Sequence, residues 1–297
     1  MTSDMKAIFG WCVLLLLPTC ALAESSPRSR ENAPVEPFRI IGNIYYVGAA
    51  DVTSFLIVTP HGHVLIDGGF VETAPLIRNN IEKLGFEMKD VRVLLNSHAH
   101  FDHAGGLAQL KQWSGARLVI SERDAPLFGS GDDQDTTFGP KLQFPAAHVD
   151  RRIKDGDTVE VGAVTLRAVL TPGHTPGCTT WTMQVHDEGR IYQVVFFCSA
   201  TVLAHSQLLN NKSYPGIAND YKKSFAKLRA LPCDVFLAPH GSFFDLERKA
   251  AELKRGERPN PFIDPQGYRR LLDWSEKDFQ DRLEAETRNS TAGSARN

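Results

Sequence analysis

The segment of residues 97–106, which reads SHAHFDHAGG, constrains this chain more than any other stretch. Six consecutive residues within it contain three histidines and an aspartate: His98, His100, Asp102 and His103. A short apolar run precedes this motif and two glycines follow it, which is typical of a strand that leads through a tight loop into a helix. Four imidazole and carboxylate groups at this density indicate metal binding rather than packing or solvation alone.

Two later loops each add one histidine after a strand-like segment. Residues 164–170 lead into the sequence TPGHTPG, which contains His174, and residues 234–237 lead into Pro-His-Gly, which contains His240. A catalytic zinc ion typically has three protein ligands and one open position, so six ligands divide most simply into two sets of three. The first predicted set is His98, His100 and His174, and the second is Asp102, His103 and His240. We therefore predict two Zn²⁺ ions.

The composition indicates an exported globular protein. The chain has 297 residues, of which 42% are hydrophobic and 23% charged, and its formal net charge is −2. This balance, without a basic run, predicts no nucleic-acid partner. Residues 1–23 resemble a signal peptide, because Lys6 precedes an apolar core and Ala21-Leu22-Ala23 matches a small-x-small cleavage site. Acylation at Cys20 is a weaker alternative. We expect a periplasmic protein with no membrane attachment after cleavage.

The remaining chain reads as one domain between two polar ends. We expect a flexible leader at residues 24–37, the domain at 38–287 and a polar tail at 288–297. Within the domain, one strand passage is predicted at 40–47 and a hairpin from residues 54–58 and 63–66. Further strands are predicted at residues 91–95, 118–120, 158–161, 164–170, 181–185, 193–197 and 234–237, and helices at 73–84, 106–113, 219–231 and 266–283.

Residues 121–148, rich in Gly, Asp and Pro, form a long predicted loop. Loops of this length are uncommon without a role, so we expect a flap over the site, with Phe138 and Phe144 as its apolar candidates. Disorder of the loop, and a packing role for the two rings, remain alternatives. His61 and His63 flank a Pro-His-Gly turn and are expected at the surface. Asp67, before two glycines, either orients a ligand or forms a turn.

Three cysteines remain after the signal peptide: Cys178, Cys198 and Cys233. An odd number in an oxidising compartment permits at most one bridge within the chain. A domain of this size needs none, so we expect three small buried thiols.

The HxHxDH motif, the TPGHTPG loop and the late histidine together resemble the metallo-β-lactamase superfamily. The resemblance covers residues 40–283. It implies an α/β fold, a four-layer αβ/βα sandwich with two metal ions at one edge of two packed sheets. It does not define the substrate, because glyoxalase II-like thioesterases, lactonases and phosphodiesterases share these motifs with the β-lactamases.

Other residues resemble subclass B3 of the β-lactamases. Many hydrolases of the superfamily have a metal-bridging aspartate where this chain reads VVFFCSAT, at residues 194–201, without a carboxylate. The first β-lactamase subclass uses a cysteine ligand there, which His103 makes unnecessary, although Cys198 remains a less favoured candidate ligand. Ser199 and Thr201 match the hydroxyl pair with which B3 enzymes hold the substrate carboxylate. Further similarities are Asp155-Gly156, Tyr214-Pro215, Asp220-Tyr221 and Pro232-Cys233-Asp234.

This resemblance implies a zinc-dependent enzyme that opens the β-lactam ring of penicillins, cephalosporins and carbapenems and so confers antibiotic resistance. A hydroxide bridging the two Zn²⁺ ions would attack the ring, and Asp102 would orient it. Ser199 and Thr201 would bind the carboxylate of the small-molecule substrate, or be ordinary strand hydroxyls. The alternatives are another hydrolase of the superfamily (glyoxalase II-like thioesterase or lactonase) and a non-catalytic zinc-binding protein.

Overall fold

Segments rich in β-branched and aromatic residues form twelve strands in the part of the chain that this computed structural model describes, residues 27–130 and 144–294. The predicted signal peptide and Phe138 lie outside these residues. The first sheet contains β1 (Phe38–Ile41), β2 (Ile44–Tyr46), β3 (Phe55–Ile57), β4 (His63–Ile66), β5 (Val91–Leu95), β6 (Arg117–Ser121) and β7 (Arg151–Ile153). The second contains β8 (Thr158–Val161), β9 (Val164–Leu170), β10 (Thr179–Asp187), β11 (Arg190–Phe196) and β12 (Val235–Leu237).

Eight α-helices accompany these strands within the described ranges. They are α1 (Pro27–Glu31), α2 (Ala74–Lys83), α3 (Phe101–Ala104), α4 (Leu107–Ser114), α5 (Ala125–Ser130), α6 (Ile217–Ala230), α7 (Leu246–Lys254) and α8 (Pro265–Ser294). None of the helices that the structure describes combines the length and apolar character needed to cross a membrane.

Strand direction brings several loops to one edge of each sheet. In the first sheet, β1 to β4 are antiparallel neighbours and β4 to β7 are parallel, so β4 and β5 end at the same edge. In the second sheet, β10 lies antiparallel between β9 and β11, and β12 is parallel to β11. The strands β9, β11 and β12 therefore also end together, and the segments that follow them can converge.

The side-chain alternation in β5 explains how the layers stack. Val93 and Leu95 enter the core between the two sheets, whereas Leu94 packs with the residues of α2 and α4 on the other face. Apart from the exposed Arg92, the residues of this strand are buried on both faces, so its sequence is mostly apolar. Helices α6 and α8 cover the second sheet, with the rings of Phe225 and Phe279 5.8 Å apart. The order helix, sheet, sheet, helix confirms the four-layer sandwich.

Several predicted elements differ from those observed. Residues 40–47 form two strands rather than one, because Gly42 turns the chain with φ +52° and a Cβ there would collide with Val185. The segment 121–148 contains α5 instead of being loop throughout. Phe144 is buried, with its ring 5.2 Å from that of Phe128, so of the two roles considered for it the structure shows packing. The short elements β7 and α7 were not predicted, because β7 has only three residues and α7 consists mostly of charged residues.

The two chain ends are more ordered than expected. From Pro27 onward the leader is not loose, because it forms α1 and Pro34 makes a β-bridge with Ala49. The last helix does not stop near Leu283 but continues through the predicted polar tail as far as Ser294. Glu286 contributes to this, since its carboxylate accepts backbone hydrogen bonds from Leu208 and Leu209, in the loop before α6.

The expectation of three buried thiols is wrong for two of them. Cys178 and Cys198 form a disulfide with their Cα atoms 5.9 Å apart, which joins the start of β10 to the segment after β11. Cys233 has no disulfide partner in the described part of the chain, and burial raises the pKa of its thiol to about 12. His63 is also not a surface residue: it is buried edge-on against Phe86, and burial lowers its pKa.

Candidate metal centre

Each predicted ligand follows a strand at the edge just described. His98 and His100 lie in the loop after β5, and the short helix α3 then holds Asp102 and His103 one turn further on. His174 follows β9 and His240 follows β12. Each of these strands packs apolar residues into the core, so the loops at their ends are held by a rigid support.

The structure brings the six side chains together in two groups of three within the described residues. In each group the candidate ligand atoms all lie within 4.8 Å of one another. The first group is His98, His100 and His174, and the second group is Asp102, His103 and His240. The groups are neighbours, since the rings of His98 and His103 are 4.4 Å apart. Two adjacent sets of imidazole and carboxylate donors suit a dinuclear metal site.

Hydrogen bonds to the outer ring nitrogens orient two of these imidazoles. His174 Nδ1 lies 2.8 Å from the Thr201 carbonyl oxygen, and His240 Nδ1 lies 2.9 Å from Asp51 Oδ2. Both oxygens only accept hydrogen bonds, so Nδ1 carries the proton and Nε2 presents its lone pair to the centre. This is the usual arrangement of metal-binding histidines, whose second nitrogen is held by a carboxylate or carbonyl.

At three candidate ligands the pKa is shifted toward the protonation state that binds a cation, whereas at His103 burial lowers the pKa but the charge and hydrogen bond of Asp102 raise it overall. Burial, together with the neighbouring His100, lowers the pKa of His174 to about 3, so the ring is neutral at ordinary pH. Burial and the adjacent histidines likewise lower the pKa of His98. Burial opposes ionisation of Asp102, but the charge and hydrogen bond of His103 and the charge of His240 lower its pKa far below the ordinary value. Neutral imidazoles beside an ionised carboxylate are the metal-binding forms.

Asp124 joins the two loops that supply the first group. It is buried, and its carboxylate accepts hydrogen bonds from Ala99 N, Thr175 Oγ1 and Gly177 N at 3.1, 3.0 and 2.7 Å. Burial raises its pKa, although these donors oppose the shift. A Cβ at position 177 would collide with the Asp124 carboxylate and with Ser121, so the loop needs glycine there. Asp124 therefore fixes the loop of residues 98–100 relative to the loop that contains His174.

Asp67 supports the same loop from the end of β4. Its Oδ1 accepts hydrogen bonds from Ser97 N at 2.7 Å and Asn96 Nδ2 at 2.8 Å. Its Oδ2 lies 3.9 Å from His103 Nδ1. Burial raises the pKa of Asp67, while the charge of His103 opposes that shift. Both roles considered for Asp67 are therefore observed. It lies beside the candidate ligand His103, and its φ of +62° is that of a turn.

The two predicted substrate-binding hydroxyls lie at the edge of the first group. Ser199 Oγ is 3.1 Å from Thr201 Oγ1, which is itself 3.2 Å from His174 Nδ1. Ser199 is buried, and it directly follows the disulfide-bonded Cys198. The disulfide commits the Cys198 sulfur, so this residue is not a candidate ligand in this structure.

Sequence reasoning missed Asp51 and Asp124. Neither aspartate has a histidine or cysteine near it in the sequence, and Asp51 lies 189 positions before the histidine that it contacts. Only the packing of the two sheets brings them to the site. A carboxylate placed beside a metal ligand is a common feature of such centres, but one sequence gives no signal for which aspartate serves.

The two-sheet sandwich and its paired ligand groups define this chain as a metal-binding protein of the hydrolase type. It belongs to the metallo-beta-lactamase superfamily, whose family model matches residues 47–240. The native FEZ-1 metallo-beta-lactamase of Legionella gormanii has a similar structure, with a TM-score of 0.84 and 42% identity over 86% of this chain and 98% of that one. The subclass B3 enzyme BJP-1 of Bradyrhizobium japonicum has a TM-score of 0.81 and 42% identity over 88% and 98%. The resemblance to subclass B3 is thereby confirmed.

Curated relatives match over a shorter stretch. A hydroxyacylglutathione hydrolase of Bradyrhizobium sp. (strain ORS 278) is 34% identical over 170 residues, which is 56% of this chain and 52% of that protein. The chain therefore spans about half the length of this relative.

Proposed function

We propose that this protein is an exported, zinc-dependent β-lactamase of the B3 type, which opens the β-lactam ring of antibiotics in the periplasm. The observation that carries the proposal is the pair of three-residue donor groups in a chain that matches two β-lactamases over 98% of their length at 42% identity. The signal-like residues 1–23 support export, and such an enzyme would act on antibiotics before they reach their targets.

Two Zn²⁺ ions fit the residues present. His98, His100 and His174 would hold one ion, and Asp102, His103 and His240 the other, because imidazole and carboxylate donors suit zinc. When bound, such ions supply Lewis acidity and lower the pKa of coordinated water. Asp102 would stay ionised and could accept a hydrogen bond from the attacking water, orienting it toward the ring carbonyl.

Ser199 and Thr201 would bind the carboxylate that β-lactam antibiotics share. Their hydroxyl oxygens lie 3.1 Å apart, close enough to donate to one carboxylate. Thr201 also holds His174 through its backbone carbonyl, so substrate carboxylate and first metal group would share one support.

A thioesterase of the glyoxalase II type is the second candidate. Its support is the identity of 34% with a hydroxyacylglutathione hydrolase. Against it, that match covers about half of either chain, and residues 194–201 contain no carboxylate.

Hydrolysis assays with the purified mature protein test the proposal. We expect zinc-loaded enzyme to hydrolyse nitrocefin and a carbapenem, and to lose this activity with a chelator and regain it with zinc. Asp102→Ala should abolish turnover, whereas Asp187→Ala, at the far end of β10, should not. Hydrolysis of S-lactoylglutathione without hydrolysis of any β-lactam would favour the thioesterase. Metal binding without hydrolysis of either substrate would favour the non-catalytic alternative.

A further inference from the structure

The N-terminal segment, residues 28–33, lies against the loop that contains Asp51. Three backbone hydrogen bonds join them: the amides of Asp51 and Val52 donate to the Glu31 carbonyl at 2.9 and 3.3 Å, and that of Ala50 donates to the Ala33 carbonyl at 2.9 Å. The loop of residues 49–52 is therefore fixed from outside by a segment that precedes the first sheet.

Arg28 anchors the other end of this segment. Its guanidinium group makes two hydrogen bonds to the Glu72 carboxylate, at 2.7 and 2.9 Å. The same group lies 4.8 Å from the ring centre of Phe70 and 5.9 Å from that of Phe101, which separates His100 from Asp102 in the chain. The segment is thus attached both to the Asp51 loop and to the helix that supplies the second ligand group.

Asp51 connects the loop held by the N-terminal segment to the candidate ligand His240. Its Oδ2 accepts a hydrogen bond from His240 Nδ1 at 2.9 Å, and its Oδ1 accepts one from Ser242 N at 2.7 Å. Its carbonyl oxygen also accepts a hydrogen bond from Gly241 N at 2.7 Å. These contacts hold the imidazole with Nε2 directed at the second group, 3.6 Å from Asp102 Oδ2.

We propose that Asp51 is the positioning residue of the second metal group, and that the docked N-terminal segment sets how tightly this group binds its ion. If the segment is detached, the Asp51 loop gains freedom, and ordering it again reduces the free energy of metal binding. The segment's hydrogen bonds to the Asp51 loop lead to His240, which belongs to the second group, so we expect the affinity of the first group to stay unchanged. The inference rests on the second group binding a metal, as in the proposed function, but it does not depend on the substrate.

Zinc binding to metal-free protein, measured by competition with a chromophoric chelator, tests the role of Asp51. In Asp51→Ala we expect the affinity for the second equivalent of zinc to fall about 10- to 100-fold, while that for the first is unchanged. Asp51→Asn keeps an oxygen acceptor for His240 Nδ1 and should retain most of the affinity. Asp187→Ala is the matched control, because Asp187 also accepts one side-chain and one backbone hydrogen bond but lies far from the site.

The Arg28→Ala variant tests the segment separately. We expect the affinity for the second equivalent of zinc to fall about three- to tenfold. A loss of this size is typical when an exposed ion pair and a cation–π contact are removed together. Arg78→Ala is the control, because Arg78 pairs with Glu82 at similar exposure and lies 5.3 Å from the Trp113 ring centre. Its affinities should equal those of the wild type.

Three results would overturn the inference: equal affinities in Asp51→Ala and the wild type, equal loss at both sites, or a wild type that binds one equivalent. If Asp51→Ala does not fold, the Arg28→Ala variant decides. An unchanged affinity for the second equivalent of zinc in that variant would overturn the inference, and a fall in that affinity alone would support it. Selective loss in a protein that hydrolyses no β-lactam would contradict the proposed substrate alone.

Discussion

At the scale of single residues, the site depends on oxygen atoms that do not themselves belong to the ligand groups. The Thr201 carbonyl holds His174, the Asp51 carboxylate holds His240, and Asp124 ties two loops together. Such contacts restrict each imidazole to one orientation before a cation arrives, which lowers the entropic cost of binding. Ser199 differs from these residues, because its hydroxyl contacts Thr201, and in the proposed function it would bind the substrate carboxylate.

Replacing Ser199 separates substrate binding from metal binding. If its hydroxyl donates to the substrate carboxylate, Ser199→Ala removes a hydrogen bond to a charged group, worth about 1.5–3 kcal/mol. We expect the KM for nitrocefin to rise at least about tenfold with little change in kcat, because the contact is similar in the ground and transition states. Thr165→Ala, which removes an exposed hydroxyl on β9, is the control. An unchanged KM, or loss of bound zinc, would contradict a substrate-binding role.

At the scale of secondary-structure elements, Asp264 connects the last two helices. Its Oδ1 accepts a hydrogen bond from Gly267 N at 2.7 Å in the first turn of α8, and its Oδ2 lies 2.8 Å from Lys249 Nζ of α7. The Lys249 side chain is 1% exposed, so its ammonium group depends on this partner. Burial raises the pKa of Asp264, but Lys249 and Gly267 lower it below the ordinary value overall.

Asp264→Asn should destabilise the fold in a pH-dependent manner. At pH 7 we expect the free energy of unfolding to fall by about 3 kcal/mol, because a buried ammonium group loses its counter-charge. The folded pKa of Asp264 is lowered, so its contribution is complete above the unfolded value of about 3.9 and is lost as the pH falls through the folded pKa. Urea unfolding at pH 7 and pH 3 should show the difference between variant and wild type narrowing in acid.

The exposed pair of Lys277 with Asp281 on α8 provides the control for this measurement. Asp281→Asn should change stability by less than about 1 kcal/mol at either pH. An Asp264→Asn variant with a difference that is constant across pH would show that capping, not charge, is the role of Asp264.

At the scale of the whole molecule, the ligand groups connect the two sheets. The second group combines Asp102 and His103, which follow the first sheet, with His240, which follows the second. His174 does the same for the first group. A bound metal ion would therefore cross-link both halves of the sandwich and would stabilise the folded chain relative to the unfolded one.

Metal removal should lower thermal stability as well as activity. Free zinc at 100 times its Kd stabilises a protein by about 2.7 kcal/mol per site, so we expect a clear fall in Tm after treatment with a chelator and recovery on adding zinc. His98→Ala should reduce this response, whereas His61→Ala, at an exposed turn, should retain it. Differential scanning calorimetry gives the Tm, and a wild-type Tm that is independent of zinc would contradict the cross-linking role.

The sequence alone determined the features that depend on near neighbours. Ligand-type residues two and three positions apart marked the loop of His98 to His103, and apolar runs such as residues 91–95 marked the strands around it. Helical periodicity also located α2, α4 and α6, because a buried face repeats every three or four residues. These patterns, read with the resemblance, were sufficient for the four-layer sandwich and for both sets of candidate ligands.

Only the tertiary structure decided which distant residues support that site. The contact of Asp51 with His240 and the disulfide of Cys178 with Cys198 exist because two sheets stack and bring strand ends together. The N-terminal segment, polar and without a period, acquires order from the surface on which it docks. Pairwise contacts of this kind carry no local signature, because their energy comes from packing that is complete only when the whole chain has folded.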